Sequence, residues 1–248
     1  MTSRPTISVF NLCSVLSDDE ITPVIGAVQT QVNQDFAPLW DRGAKLVQVP
    51  KGESPDPDHW WCGFFDNSDV ANALGYHDLT SAGFPLAKVF AATDQQYGLQ
   101  WSVTLSHEVL EMLGDPTINL SAQVAEDRLY AYENCDAVEA DELGYPVDGV
   151  LVSDFVTPAW FMPGYPGPWD FKEHLNAPLE IAQGGYISVL ELGSGAGWTQ
   201  IQRQAGPGRS ASIPRVGSRR ERRRRSRELW LKSDPDSHAD AHKRVFGQ

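Results

Sequence analysis

Cysteine, basic side chains and long apolar runs are all scarce in most of this sequence. Three cysteines occur, Cys13, Cys62 and Cys135, and they are widely spaced without a CxxC pair. An odd and scattered set argues against a disulfide-stapled scaffold and favours a reducing compartment. No stretch approaches the roughly 18 consecutive apolar residues that predict a transmembrane helix, so we expect no membrane span.

The first residues, MTSRPTISVFNL, lack a basic segment followed by a long apolar one. We therefore predict no secretory signal. This favours a cytoplasmic or particle-associated location over classical secretion, although no motif names a compartment.

The scarcity of basic residues ends abruptly near the C-terminus. The formal net charge is -13, but residues 1–202 contain 7 of the 20 Lys and Arg and 28 of the 33 Asp and Glu. Residues 203–248 contain the other basic residues, including the run RRERRRRSR at 219–227. The sequence predicts one domain over 1–202 and an Arg-rich C-terminal extension over 203–248, either a tail or an appended helix.

The arginine run predicts an electrostatic contact of low specificity. Its partner is an acidic surface, of the same chain or of another, or nucleic acid. No aromatic residues interleave the arginines for base stacking, so the acidic surface is favoured. The strongly acidic residues 1–202 argue against nucleic-acid binding by the main domain.

Apolar periodicity within 1–202 predicts an α+β fold. Ser17 and the acidic residues after it are typical of the start of a helix, and a second helix is predicted over 100–113. Alternating or short apolar runs predict strands at 6–12, 44–51, 59–67, 83–92, 149–156 and 184–192. Pro85 favours an edge position for the strand over 83–92.

The segment TLSHEVLEMLGDP, residues 104–116, carries the clearest chemical motif. His107 and Glu111 are i and i+4 on the predicted helix, so both side chains project from one face and can reach one cation. Glu108 lies beside them, where the glutamate of the related HExxH motif activates water. The apolar residues around them predict a buried helix, and buried His and Glu side chains need partners.

A second acidic segment, YENCDAVEADE at 132–142, follows the helix. Glu133 and Asp136 form an ExxD pair, and Glu133 lies 22 residues after Glu111, which allows the chain to return past the helix. Glu133 is the candidate third ligand, and Asp136 or Asp115 is either a substitute ligand or the acid that braces His107 through its other ring nitrogen. His77, in GYHD at 75–78, is an alternative ligand or an oxyanion-stabilising donor, but a packed or surface histidine is the favoured interpretation.

The pairing of TLSHEVLEMLGDP with ENCDAVE resembles the HExxExx(T/N)(D/N)P … EIxDxC pattern of Exordium-type and related bacterial and phage metallopeptidases, over about residues 85–160. More broadly it is similar to the zincins. The resemblance implies a zincin-like fold, a small mixed sheet with an active-site helix. It also implies His107 and Glu111 as metal ligands, Glu108 as general base and Glu133 or Asp136 as the third ligand.

The resemblance further implies that residues 83–92 form the edge strand that pairs with an extended substrate. One departure concerns the cysteine of ENCD, which precedes the aspartate instead of following it. The register of the third ligand therefore stays open.

These observations predict a zinc-dependent peptidase or hydrolase that acts on a peptide or protein substrate. Two carboxylates and one imidazole would neutralise a dication, acidify water less than the HExxH set, and admit Mn or another divalent cation. A slow or specialised hydrolase is expected as readily as a fast one. The alternative is a non-catalytic structural or interaction protein, such as a phage or particle component, that retains a zincin fold.

Overall fold

Two five-stranded sheets, a small hairpin and four α-helices form the described part of the chain. The computed structural model describes residues 4–69, 73–80 and 82–203, together with the backbone of 210–213. This is the mixed α+β architecture that the sequence predicts. In this part of the chain, no helix has the length and apolarity that crossing a membrane requires.

The helices are α1 Asp18–Gln31, α2 Ala37–Trp40, α3 Ala91–Tyr97 and α4 Trp101–Gly114. The strands are β1 Thr6–Asn11, β2 Lys45–Val49, β3 Trp60–Phe65, β4 Gly75–Leu79, β5 Pro85–Phe90, β6 Ser121–Ala125, β7 Arg128–Ala131, β8 Tyr145–Val147, β9 Val150–Val152, β10 Tyr186–Glu191, β11 Trp198–Arg203 and β12 Ser210–Ile213.

The first sheet has the order β2-β1-β3-β5-β4, with β4 antiparallel and the other neighbours parallel. The prediction that residues 83–92 form the edge strand is wrong, because β5 pairs with both β3 and β4. Pro85 is tolerated there because it is the first residue of its strand, where the missing N–H matters least. On this side of the sheet the edge strand is β4, and β2 forms the opposite edge.

Alternating side chains separate the two faces of the first sheet, as the strand period of two requires. Ile7 and Val9 of β1 belong to the main core, to which α1 and α4 also contribute. Phe10 belongs to a smaller cluster with Val49, Trp61 and Leu86 on the other face. Helix α1 begins with the capping box that Ser17 predicts, closed by Glu20.

The second sheet has the order β12-β11-β10-β7-β6 and is antiparallel throughout. Strand β12 pairs with β11, so this sheet continues past residue 202, while the arginine run at 219–227 lies outside the described residues.

Of the strand predicted over 149–156, only β9 forms. The buried loop that follows it is held by side-chain hydrogen bonds such as Ser106 Oγ accepting from Ser153 N at 2.6 Å.

Candidate metal centre

Helix α4 places His107 and Glu111 on one side, as the sequence predicts. The helix packs on β4 and β5, and every residue from Ser102 to Gly114 is buried. His107 Nε2 lies 3.3 Å from Glu111 Oε2 across one helical turn. The two proposed ligands therefore lie close enough together to contact one cation, and both are buried.

The acidic segment after β7 is fixed against the C-terminal turn of α4. Asn134 Nδ2 donates to the Leu110 carbonyl at 3.0 Å, and its approach requires a glycine at 114. A Cβ on Gly114 would lie 2.4 Å from Asn134 Nδ2. The Cys135 N–H then donates to Glu111 Oε1 at 3.4 Å. This docking brings Glu133 and Asp136, both buried, to the helix.

Asp136 approaches the nitrogen of His107 that also faces Glu111. Its Oδ1 lies 3.4 Å from His107 Nε2. A brace that fixes a histidine ligand contacts the other ring nitrogen. This placement suits a ligand beside His107 better than a brace of its other ring nitrogen.

His77 of β4 is a buried, packed histidine, and it also lies beside the carboxylates of α4. Its Nδ1 lies 3.5 Å from Glu111 Oε2 and 3.6 Å from Glu108 Oε2. Its Nε2 lies 3.9 Å from Glu133 Oε2. The close approach of β4 depends on Gly75, since a Cβ there would meet Thr104 and Glu108 side-chain atoms at 2.7 to 2.9 Å.

Glu108 points toward His77 from α4 and is 3% exposed. Its Oε2 forms no hydrogen bond with any residue that the structure describes. A buried carboxylate oxygen in this state needs a proton or a cation to offset its desolvation. The position suits either a general base or a further oxygen ligand.

The donor atoms fit a divalent cation. His107, Glu111 and Cys135 form one buried set, and His77, Glu111 and Glu133 form another, with the donor atoms of each set within 4.8 Å of one another. Ligands about 2.0–2.1 Å from a tetrahedral zinc ion lie about 3.3 Å apart. The 3.3 to 3.5 Å separations around Glu111 Oε2 match that spacing.

The carboxylates set the protonation state of their neighbours. Burial lowers the pKa of His107, but Glu111, Asp136 and Glu108 outweigh it and raise this pKa well above 6.5. Burial, followed by the charges of Glu111, Asp136 and Asp154, raises the pKa of Cys135 well above 9.0. Both shifts favour the protonated forms, an imidazolium at His107 and a thiol at Cys135.

Asp115, the other alternative ligand, lies apart from the donor sets. Asp115 caps the turn after α4, where its two oxygens accept from Asn119 N and Leu120 N at 3.0 Å, outside both donor sets. Sequence reasoning missed Cys135 as a donor, because its spacing forms no motif. It also missed Asp94, whose Oδ1 accepts from Thr104 Oγ1 at 3.0 Å; burial, with charge from Asp141 and Glu108, raises its pKa to about 7.

A second histidine–carboxylate cluster lies away from α4, in the loops that follow β9. His174 Nδ1 lies 3.0 Å from Asp154 Oδ2 and 3.2 Å from Asp170 Oδ2. Both aspartates are fully buried, whereas His174 is exposed. Backbone amides donate to both carboxylates: Phe155 N and Lys172 N to Asp154, and His174 N and Leu175 N to Asp170.

Comparison of the chain with protein-family models, curated proteins and solved structures finds no match. The zincin-like resemblance therefore stays a prediction. Any function proposed for the chain depends on the side chains of the centre itself.

Proposed function

We propose that this chain is a divalent-metal-dependent hydrolase whose centre is formed by His77, His107, Glu111, Glu133 and Asp136. The observation that carries the proposal is the placement of these side chains, from β4, α4 and the segment after β7, around Glu111 and the two histidines at 3.3 to 3.9 Å. Glu108 lies beside them, with its buried Oε2 3.6 Å from His77 Nδ1. A bound zinc or manganese ion would supply Lewis acidity and lower the pKa of water.

Glu108 is the proposed general base. Its carboxylate accepts a proton from the attacking water and returns it to the leaving amine. His77 Nδ1, 3.6 Å from Glu108 Oε2, orients the carboxylate or contributes to metal binding. His107, Glu111 and Asp136 bind the cation and keep it beside Glu108.

A peptide is the proposed substrate class. Strand β4 carries His77 and ends the order of the first sheet, with no described strand on its outer side. An exposed strand edge offers backbone donors and acceptors to an extended chain, which adds as a further strand. The proposed substrate strand is therefore beside β4, not beside residues 83–92.

The test is Glu108→Gln in the full-length protein, loaded with zinc and assayed on a peptide mixture by mass spectrometry. The change should abolish cleavage while leaving metal content unchanged, because it removes the base and keeps the side-chain shape. Glu126→Gln, at an exposed position, is the matched control. Cleavage that survives Glu108→Gln would contradict the role of Glu108.

One observation favours a second candidate, a non-catalytic protein whose metal centre is structural. The most exposed candidate ligand, His107, is 8% exposed, and the others are exposed by 3% or less. A substrate would reach the cation only past His107 or by a movement of β4. Metal binding with no cleavage of any peptide by the wild-type protein would support this candidate over the hydrolase.

A further inference from the structure

The two donor sets around α4 have one member in common. Glu111 belongs to the set with His107 and Cys135 and to the set with His77 and Glu133. Its Oε2 lies 3.3 Å from His107 Nε2 and 3.5 Å from His77 Nδ1. The histidines thus approach the same carboxylate oxygen while belonging to different sets.

Both ring nitrogens of His77 face carboxylates. Nδ1 faces Glu108 and Glu111, and Nε2 faces Glu133. A neutral imidazole has one N–H and one lone pair, so it can donate to only one of these sides. On the other side, lone pairs oppose each other unless a proton or a cation lies between them.

The charge of the centre points to more than one cation. Glu108, Glu111, Glu133 and Asp136 are each 3% exposed or less. With neutral histidines, one dication would leave two negative charges uncompensated in the interior. Two dications would balance the four carboxylates. Buried charge is unfavourable unless it is compensated, so two bound dications would suit four ionised carboxylates better than one.

The donor composition supports the same conclusion. Four carboxylates and two imidazoles are the donors that dinuclear carboxylate centres use in helical bundles. Paired cations about 3.5–4 Å apart occur in hydrolases, where they bind both the attacking and the leaving oxygen. The likeness is in the kinds of donor and not in the fold, because the donors of this chain lie on a strand, a helix and a loop.

We propose that the centre binds two divalent cations bridged by the Glu111 carboxylate, one in the set with His107 and Cys135, beside Asp136, and the other in the set with His77 and Glu133. This inference rests on the proposed function, which requires at least one cation at the same place. It adds a second metal site and gives His77 the role of a ligand.

The first test counts cations by mass spectrometry in full-length protein that is stripped with chelator, reloaded with Zn²⁺ or Mn²⁺ and desalted. We expect two ions per chain in the wild type, one in His107→Ala, one in His77→Ala and fewer than one in Glu111→Gln. His174→Ala, which removes a histidine outside the centre, should retain two.

One ion in the wild type, lost in both histidine variants, would overturn the two-cation proposal and leave the proposed function standing. No ion in the wild type would overturn both. Two ions that persist in His77→Ala would also overturn the proposal, since His77 would then bind neither.

A second measurement needs no variant. Electron paramagnetic resonance of the Mn²⁺-loaded wild-type protein should give the spectrum of a spin-coupled pair, because a shared carboxylate couples the two ions. A spectrum of isolated Mn²⁺ would overturn the bridge, whatever the stability of the variants.

Discussion

The centre on α4 and the Asp154–Asp170–His174 cluster contain the same kinds of donor, but different groups hold their carboxylates in place. In the cluster, four backbone amides donate to the two aspartates at 2.8 to 3.2 Å, and His174 completes the network. In the centre, the carboxylates lie against the ring nitrogens of His77 and His107 at 3.3 to 3.9 Å.

This difference separates two uses of a buried carboxylate. Backbone amides satisfy the cluster without any ion, so it stabilises the loops that follow β9. Imidazole nitrogens at these distances are partners that a cation can replace, and Glu108 Oε2 forms no hydrogen bond with the described residues. The cluster should therefore determine stability, and the centre should determine metal content.

Asp170→Ala should produce the largest loss of stability, about 4 kcal/mol. The change leaves the His174 N and Leu175 N donors without their acceptor and removes one of the two carboxylates that face His174 Nδ1. Urea unfolding followed by tryptophan fluorescence measures the loss, with exposed Asp58→Ala as the control. Metal content should be unchanged; a loss of metal comparable to that of Glu111→Gln would break the distinction between the two regions.

Cation loading should give the next largest effect. A site filled at 100 times its Kd stabilises the folded state by about 2.7 kcal/mol. We expect zinc to raise the Tm of the chelated wild-type protein and of Asp170→Ala by similar amounts. Glu111→Gln should lose most of this increase, because it removes the shared ligand. Equal increases in all three proteins would place the metal outside the α4 centre.

The cluster should also impose a pH dependence. Burial, assisted by the hydrogen bond and charge of Asp170, raises the pKa of Asp154 from 3.8 to about 9, against the lowering effect of the Phe155 and Lys172 amides. His174 also faces this carboxyl, while Cys135 and Tyr145 interact with it electrostatically. The folded state thus retains a proton that the unfolded state releases.

The resulting stability is complete below pH 3.8 and falls as the pH rises toward about 9. The slope is at most about 1.4 kcal/mol per pH unit. Unfolding free energies of chelated protein between pH 6 and 8 measure it, and Asp154→Asn, which stays neutral, should flatten the profile. An equally steep fall in Asp154→Asn would assign the dependence to another group.

The parts of the molecule that could be predicted from the sequence depend on local patterns. Ser17 and Glu20 mark the start of α1, and the spacing of His107 and Glu111 places both on one face of α4. Glu133 and Asp136 reach the helix as proposed, although only their distances to His77 and His107 suggest which donors each accompanies.

The rest depends on contacts between distant segments. Asp154 and Asp170 meet through loops whose backbone amides bind them, and backbone amides leave no trace in a sequence pattern. His77 reaches the centre because β4 pairs antiparallel with β5, whereas Pro85 suggested that β5 itself was the edge. Strand order is a tertiary property, so the GYHD segment alone could not reveal that His77 lies beside Glu108 and Glu111.

A substitution at Gly75 tests the packing of β4 on α4. Its expected effect on stability is the smallest of those predicted here. A Cβ at 75 would lie 2.7 Å from Thr104 Cγ2 and 2.9 Å from Glu108 Cγ, so Gly75→Ala should push β4 away from α4. Overpacking of this kind costs about 1 kcal/mol or somewhat more. His77 should move with the strand, so metal affinity measured by calorimetry should fall.

Gly26→Ala is the matched control for Gly75→Ala, since its added Cβ would meet nothing within 4 Å on α1. It should retain metal affinity and gain roughly 0.5–1 kcal/mol of stability, because alanine replaces glycine inside a helix. If Gly75→Ala instead matched Gly26→Ala in both stability and metal affinity, the close packing of β4 on Glu108 would not be what positions His77. The centre would then depend on α4 and the segment after β7 alone.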